Sequence, residues 1–281
     1  MNTPAEPTSY PVKRKNPWLG WLKVIILIYC SVGIALYYLQ EKILLHPKKL
    51  ERTHQFNFTG PFTELFIPFN ATDTVHMVKF LPTDSIRKGV ILYFHGNKNN
   101  VEHYAPFVTA FTKKGYEVWI PDYPGFGKST GEFTEKKLYS IAYEIQKMAA
   151  LKFGADSLVI YGKSLGTAVA AYAASVKPCK MLILETPYYS IPSLLRSYAF
   201  MYPASAMSKY KLPTYQFLDE VAAPVVIFHG TSDWVVPYRS GVRLKNHLKA
   251  GDIFVTIPGG KHNNLASSQI YKRTVDSLLS L

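Results

Sequence analysis

Leu158-Val159-Ile160-Tyr161-Gly162-Lys163-Ser164-Leu165-Gly166 decides the reading of this chain, because four apolar residues run directly into a G-x-S-x-G. A short apolar run of this kind suits a buried strand. Glycines flanking a serine tolerate the strained backbone of a sharp strand-to-helix turn because they lack a Cβ. Such a turn lifts the serine hydroxyl out of the sheet. Thr167 to Ser175 is rich in alanine, so a helix starting at the serine would point its first N–H groups toward a developing negative charge. The pentapeptide by itself also recurs in ordinary Gly-rich turns, so its surroundings must decide.

Those surroundings repeat one pattern. Val90 to Phe94, Val118 to Ile120, Leu158 to Tyr161, Met181 to Leu184, Val225 to Phe228 and Ile253 to Ile257 are short, almost wholly apolar runs. Strands buried on both faces read this way. Between them lie segments of helical length, Val101 to Lys114, Thr134 to Phe153, Thr167 to Val176 and Arg239 to Ala250. The alternation predicts an α/β fold with a mostly parallel central sheet flanked by helices. Glu64 to Phe69 and Thr74 to Phe80 predict an opening hairpin. The aromatic-rich interval 187–215 predicts a small helical cap, whose rings would either wall an acyl chain or simply pack on the core.

A serine hydroxyl is a weak nucleophile at neutral pH and needs a base, which in turn needs an acid to fix its tautomer. Two strand ends offer them: His229-Gly230-Thr231-Ser232-Asp233 and Gly259-Gly260-Lys261-His262. Ligands of parallel sheets bind at the carboxyl ends of the strands. The expected catalytic residues are therefore Ser164, Asp233 and His262, with Glu185, at another strand end, as the rival acid. An oxyanion needs two converging N–H donors. Leu165, after the serine, and Asn97, in the loop His95-Gly96-Asn97, are the expected pair, and His95 is expected to brace that loop. Gly127-Lys128-Ser129 and Gly162-Lys163-Ser164 end like phosphate loops, but Asp122 and Ser157 stand where the first glycine belongs.

Phe94-His95-Gly96-Asn97, Asp122-Tyr123-Pro124-Gly125-Phe126-Gly127-Lys128-Ser129, the Ser164 pentapeptide, His229 to Asp233 and Lys261-His262-Asn263-Asn264 together resemble the α/β-hydrolase superfamily. The similarity runs from about Phe62 to Leu281. More narrowly, the chain resembles the membrane-associated α/β-hydrolase-domain branch, which includes lysophospholipid lipases and protein depalmitoylases and carries the serine-aminopeptidase-like label in bacteria. The resemblance implies an α/β-hydrolase fold and a serine esterase, lipase or thioesterase acting on lipid or acyl substrates. It implies no metal and no organic cofactor. A serine aminopeptidase is a second enzymatic reading, and a catalytically silent, membrane-tethered binding module is a third.

Trp18 to Leu39 is almost continuously apolar, and as a helix it reaches about 33 Å, enough to cross the hydrocarbon core of a bilayer. Trp18, Trp21, Tyr37 and Tyr38 sit where interfacial aromatics are favoured. The absence of a small-x-small cleavage site after it favours an uncleaved anchor over a signal peptide. The expected organisation is a tail over 1–17, a transmembrane helix over 18–39, a polar connector over 40–61 and a catalytic domain over 62–281, in a single-pass membrane protein. Basic residues on both sides of the span, Lys13, Arg14 and Lys15 before it and Lys42, Lys48, Lys49 and Arg52 after it, leave its orientation open. The formal net charge of +13 favours anionic surfaces. No zinc-ligand spacing or basic-aromatic array supports nucleic-acid binding.

Overall fold

A computed structural model of the chain describes residues 17–83 and 87–280. The expected tail, with Lys13, Arg14 and Lys15, lies outside the described residues apart from Pro17. The chain divides between Gln40 and Glu41 into two compact units.

The first unit contains most of helix α1, Pro17–Leu44. It is a candidate transmembrane helix whose most apolar stretch has a mean hydropathy of 2.1. Trp18, Ile25, Leu27, Ile28 and Ile34 are all more than half exposed along it. Water penalises such a surface and hydrocarbon does not. The helix runs to Leu44, five residues past the apolar stretch read from sequence, because Gln40 to Leu44 contains no helix breaker.

In the second unit, eight strands form one sheet: β1 Phe62–Pro68, β2 Thr74–Phe80, β3 Gly89–Phe94, β4 Tyr116–Pro121, β5 Leu158–Lys163, β6 Met181–Glu185, β7 Val225–Gly230 and β8 Ile253–Ile257. Their order is β8-β7-β6-β5-β3-β4-β2-β1. From β8 to β4 every neighbouring pair is parallel, and β2 and β1 close the sheet antiparallel. Strands β3 to β7 are buried throughout, which is why they read as continuous apolar runs.

The strand period of two sorts these residues onto two cores. Val90, Leu92, Phe94 and Ile160 pack with helices α3 (Glu135–Phe153) and α4 (Gly166–Val176) on one face. Ile91, Tyr93, Val159 and Tyr161 pack with α2 (Val101–Thr112) and α9 (Gln269–Ser280) on the other. Asn100 and Thr134 start α2 and α3 by accepting a backbone N–H on their side chains.

Short helices α5 (Ile191–Tyr198) and α6 (Ala204–Met207) follow β6 in the interval expected as a cap, and α7 (Thr214–Asp219) begins at its end and runs past it. Tyr188 and Tyr210 belong to the core there, Tyr189 stacks on Tyr215 at 4.3 Å, and Tyr198 and Phe200 are exposed. The helix expected over Arg239 to Ala250 is instead a turn of α-helix, α8 (Tyr238–Gly241), followed by a 3-10 segment over Val242–His247. Gly241 accounts for the irregularity in part, since a Cβ there would lie 2.1 Å from His229 Nδ1, so this stretch is shaped by packing on β7.

The segment expected as a polar connector is ordered. His46 and Pro47 pair in parallel with Lys98 and Asn99, and Phe56 stacks on Phe58 and His76. No periodicity announces this, because the order comes from partners distant in sequence.

Candidate active site

Ser164 stands on the turn between β5 and α4 with φ 51°, a left-handed conformation that strains any residue with a side chain. Both flanking glycines have a steric reason to be glycine. A Cβ on Gly166 would lie 2.0 Å from the Phe94 carbonyl oxygen, and one on Gly162 would lie 2.6 Å from both Ala170 Cβ and the Gly166 carbonyl oxygen. The strained turn is held by its neighbours: Ser164 N donates to Glu185 O at 2.9 Å, while the Thr167 hydroxyl and backbone N–H donate to Ser164 O at 2.6 and 2.9 Å.

His262 arrives from the loop after β8, with Nε2 3.0 Å from Ser164 Oγ and Nδ1 2.8 Å from Asp233 Oδ2. All three residues are buried. The other carboxylate oxygen of Asp233 accepts N–H groups from Val235 at 2.9 Å and Val236 at 2.8 Å, which fixes the plane of the carboxylate. The two loops lie close enough to meet because Gly230 carries no Cβ, which would fall 2.1 Å from Gly260 O. Ser232 N donates to that same oxygen at 2.9 Å. Beneath them His229 is buried, and desolvation holds its pKa below the ordinary 6.5, so it is neutral near pH 7. Its Nε2–H donates to Val236 O at 2.9 Å and so braces the Asp233 loop from below.

Glu185, the rival acid, is directed elsewhere. Its carboxylate accepts the Tyr161 hydroxyl and pairs with the Lys163 ammonium. That ammonium also lies 3.5 Å from His262 O, so Glu185 and Lys163 act on the histidine loop through its backbone.

Gly96 lies against Ser164, since a Cβ there would be 3.6 Å from Ser164 Cβ. Asn97 follows it in the sequence. Its side-chain amide donates to the carbonyl of Leu44, the last residue of α1, and its carbonyl accepts the N–H of His46, just beyond that helix. Leu165 is buried at the start of α4, and its carbonyl accepts the Tyr188 hydroxyl at 3.2 Å. Neither the Asn97 nor the Leu165 backbone N–H donates a hydrogen bond among the described residues.

Sequence reasoning missed the support below the His95-Gly96-Asn97 loop. Asp122, fully buried at the end of β4, accepts Val101 N–H at 2.9 Å on one oxygen and lies 3.2 Å from His76 Nδ1 on the other. His95 Nε2 faces it at 3.5 Å. Burial pushes the Asp122 carboxyl up, but hydrogen bonds from His76 and His95 outweigh this and hold it below 3.8. The sequence signal was present in Gly127, whose absent Cβ would fall 2.0 Å from Asp122 Oδ2. Lys128, one of the phosphate-loop look-alikes, donates to Glu64 at 2.6 Å and lies over the Phe56 ring. Among the described residues no cluster of His, Cys, Asp and Glu is arranged to hold a metal ion.

Chemically, a hydroxyl hydrogen-bonded to an imidazole whose far nitrogen is held by a buried carboxylate is arranged for proton removal from the hydroxyl. The family model described as alpha/beta hydrolase fold matches residues 89–215, from β3 through the cap. Protein ABHD12B of Homo sapiens is 29% identical over 68% of this chain and 60% of its own length. Alpha/beta hydrolase domain-containing protein 17C of Xenopus tropicalis is 24% identical over 67% of this chain and 59% of its own. The chain thus spans about 60% of the length of these relatives. Among solved structures, an esterase of Pyrococcus furiosus aligns with a TM-score of 0.64 at 16% identity, covering 84% of this chain and 97% of that one. Acetyl xylan esterase 1 of a Thermoanaerobacterium species aligns with a TM-score of 0.64 at 14% identity, covering 82% and 86%. With its sheet order and its strained serine turn, the chain has the α/β-hydrolase fold, and in sequence it is similar to the α/β-hydrolase-domain proteins.

Proposed function

We propose that the chain is a membrane-anchored serine hydrolase that cleaves carboxylic ester or thioester bonds of lipid or acyl substrates. The observation that carries this reading is the hydrogen-bonded series Ser164 Oγ, His262 Nε2, His262 Nδ1 and Asp233 Oδ2. In it Ser164 is the nucleophile, His262 the base and Asp233 the group that orients the imidazole.

The substrate carbonyl is attacked by Ser164 Oγ as His262 Nε2 takes the hydroxyl proton. Asp233 holds the Nδ1–H and stabilises the imidazolium that forms. The N–H groups of Leu165 and Asn97 receive the developing oxyanion. His262 then returns the proton to the departing alcohol or thiol, leaving an acyl group on Ser164. Water, deprotonated by the same imidazole, releases the acid and restores the hydroxyl. Asn97 owes its fixed position to the bonds its side chain and carbonyl make with Leu44 and His46. The helix over 18–39 is the anchor and 62–281 the catalytic domain in this reading.

Labelling of the full chain in detergent with a fluorophosphonate probe tests it. Wild-type protein is expected to label and Ser164→Ala to lose the label. Equal labelling of the two would remove Ser164 from the mechanism.

A further inference from the structure

Beside the Asp233 loop, α5 and the Arg239 to Arg243 segment enclose a groove of about 530 Å³. Arg196, Arg239 and Arg243 line it together with Ser193, Ser197 and Phe200, and no carboxylate does. None of the three arginines forms an ion pair among the described residues. Arg243 donates to Ser193 Oγ at 2.7 Å and lies 3.8 Å over the Tyr189 ring, and Arg239 donates to Ser197 O at 3.3 Å. A guanidinium carries five donors, so most of these remain unspent. Three such cations sharing one groove repel one another until an anion joins them, and a phosphate matches the guanidinium fork.

At the margin of the groove is an apolar tip. Phe200 is 79% exposed and Trp234, directly after Asp233, is 84% exposed. They are not loose ends, because the Tyr198 hydroxyl donates to Trp234 O at 2.6 Å and Val235 O at 3.0 Å and ties the tip to α5. Exposed aromatic rings beside unpaired arginines are the composition of an interfacial membrane contact, in which rings enter the headgroup region and cations meet phosphates.

The geometry points to a bilayer-docking surface on the cap: Arg196, Arg239 and Arg243 hold phosphates of phospholipid headgroups while Trp234 and Phe200 seat in the interface. This rests on the membrane reading of the apolar helix, which keeps phospholipid at high local concentration. Because Trp234 adjoins Asp233, docking brings the loop that carries the acid against the lipid from which an acyl substrate would come.

The test uses the full chain with Trp18→Phe and Trp21→Phe, reconstituted in vesicles of phosphatidylcholine and phosphatidylglycerol with or without bromine on the acyl chains. Trp119, buried in the core, and Trp234 are then the only tryptophans, and their emission is excited selectively over that of tyrosine. Brominated lipid is expected to quench the Trp234 share of the emission, defined by difference from Trp234→Phe. Arg239→Gln with Arg243→Gln should weaken docking by about 30-fold, the effect of removing two arginines from an anionic surface. The double variant should then lose the quenching while keeping fluorophosphonate labelling in detergent and the thermal melt of the parent. Ser164→Ala should quench as the parent does, so docking is read independently of catalysis. Vesicle flotation separates the failures: protein that floats with Trp234 unquenched, or equally quenched in the double arginine variant, overturns docking alone. Protein that does not float overturns the membrane reading and docking with it.

Discussion

Lys163 and Glu185 are register partners at the ends of β5 and β6, and their ion pair is buried, with side chains only 6% and 5% exposed. The pair sits one residue before Ser164 and reaches the backbone of His262. It therefore ties the strand that carries the serine to the loop that carries the histidine.

Removing one partner of a buried pair strands the other charge, which costs about 3 to 5 kcal/mol. Glu185→Gln is expected to lower the urea-unfolding free energy by that amount. The fraction that stays folded should still label with the fluorophosphonate probe, because Glu185 does not touch the imidazole. Urea midpoints equal to wild type would show that the pair contributes nothing, and loss of labelling in folded protein would show that the pair is needed to position the histidine loop.

Asp233→Asn keeps an acceptor for the Val235 and Val236 N–H groups but can no longer hold His262 in the tautomer that accepts from Ser164. In a triad this lowers kcat by about 10⁴. Turnover of p-nitrophenyl butyrate should fall by that order while the thermal melt moves little. A fall of less than tenfold would mean that another group orients the histidine.

How much of this was legible beforehand follows from where each signal lies. The runs that became β3 to β7 are visible because both faces of those strands are buried, so sequence shows them as unbroken apolar stretches. Placing Ser164, Asp233 and His262 near one another needed only the rule that parallel strands end on the same side. The supports were not legible in the same way. Asp122 with His76 and His95, and Lys163 with Glu185, join residues far apart in sequence, and nothing local distinguishes them from surface charges. The order of the segment after α1 was hidden for the same reason: His46 finds its partner at Lys98. In Arg239 to Ala250 helical spacing misled, because contact between Gly241 and His229 shapes the backbone more than propensity does.

Two glycine substitutions separate packing from backbone strain. In Gly166→Ala the new methyl group meets the backbone oxygen of Phe94, which cannot swing aside, so the cost should exceed about 2 kcal/mol and labelling of Ser164 should fall with it. Gly251 has φ +91° with nothing within 4 Å of a Cβ, so Gly251→Ala meets only the backbone penalty of about 1 kcal/mol and leaves labelling intact. Parallel urea titrations compare them. Equal losses would mean that the serine turn yields more readily than its packing implies.

His229 makes stability depend on pH in a defined window. Its folded-state pKa is depressed by burial, so below pH 6.5 the unfolded chain binds a proton that the folded chain refuses. Stability is therefore full above that value and is lost as pH falls below it, with a slope approaching about 1.4 kcal/mol per pH unit. Exposed His103, also depressed by desolvation, acts in the same direction but weakly. Asp122 works in a separate window: its depressed pKa stabilises the fold above 3.8, and that contribution is lost only as pH falls further. Urea unfolding between pH 7.5 and 5.5 should show the His229 loss, and His229→Gln, which can still donate to Val236 O, should flatten the profile. A wild-type profile already flat across this range would mean that the imidazole is protonated in place, with its charge met by Asp233 at 3.6 Å.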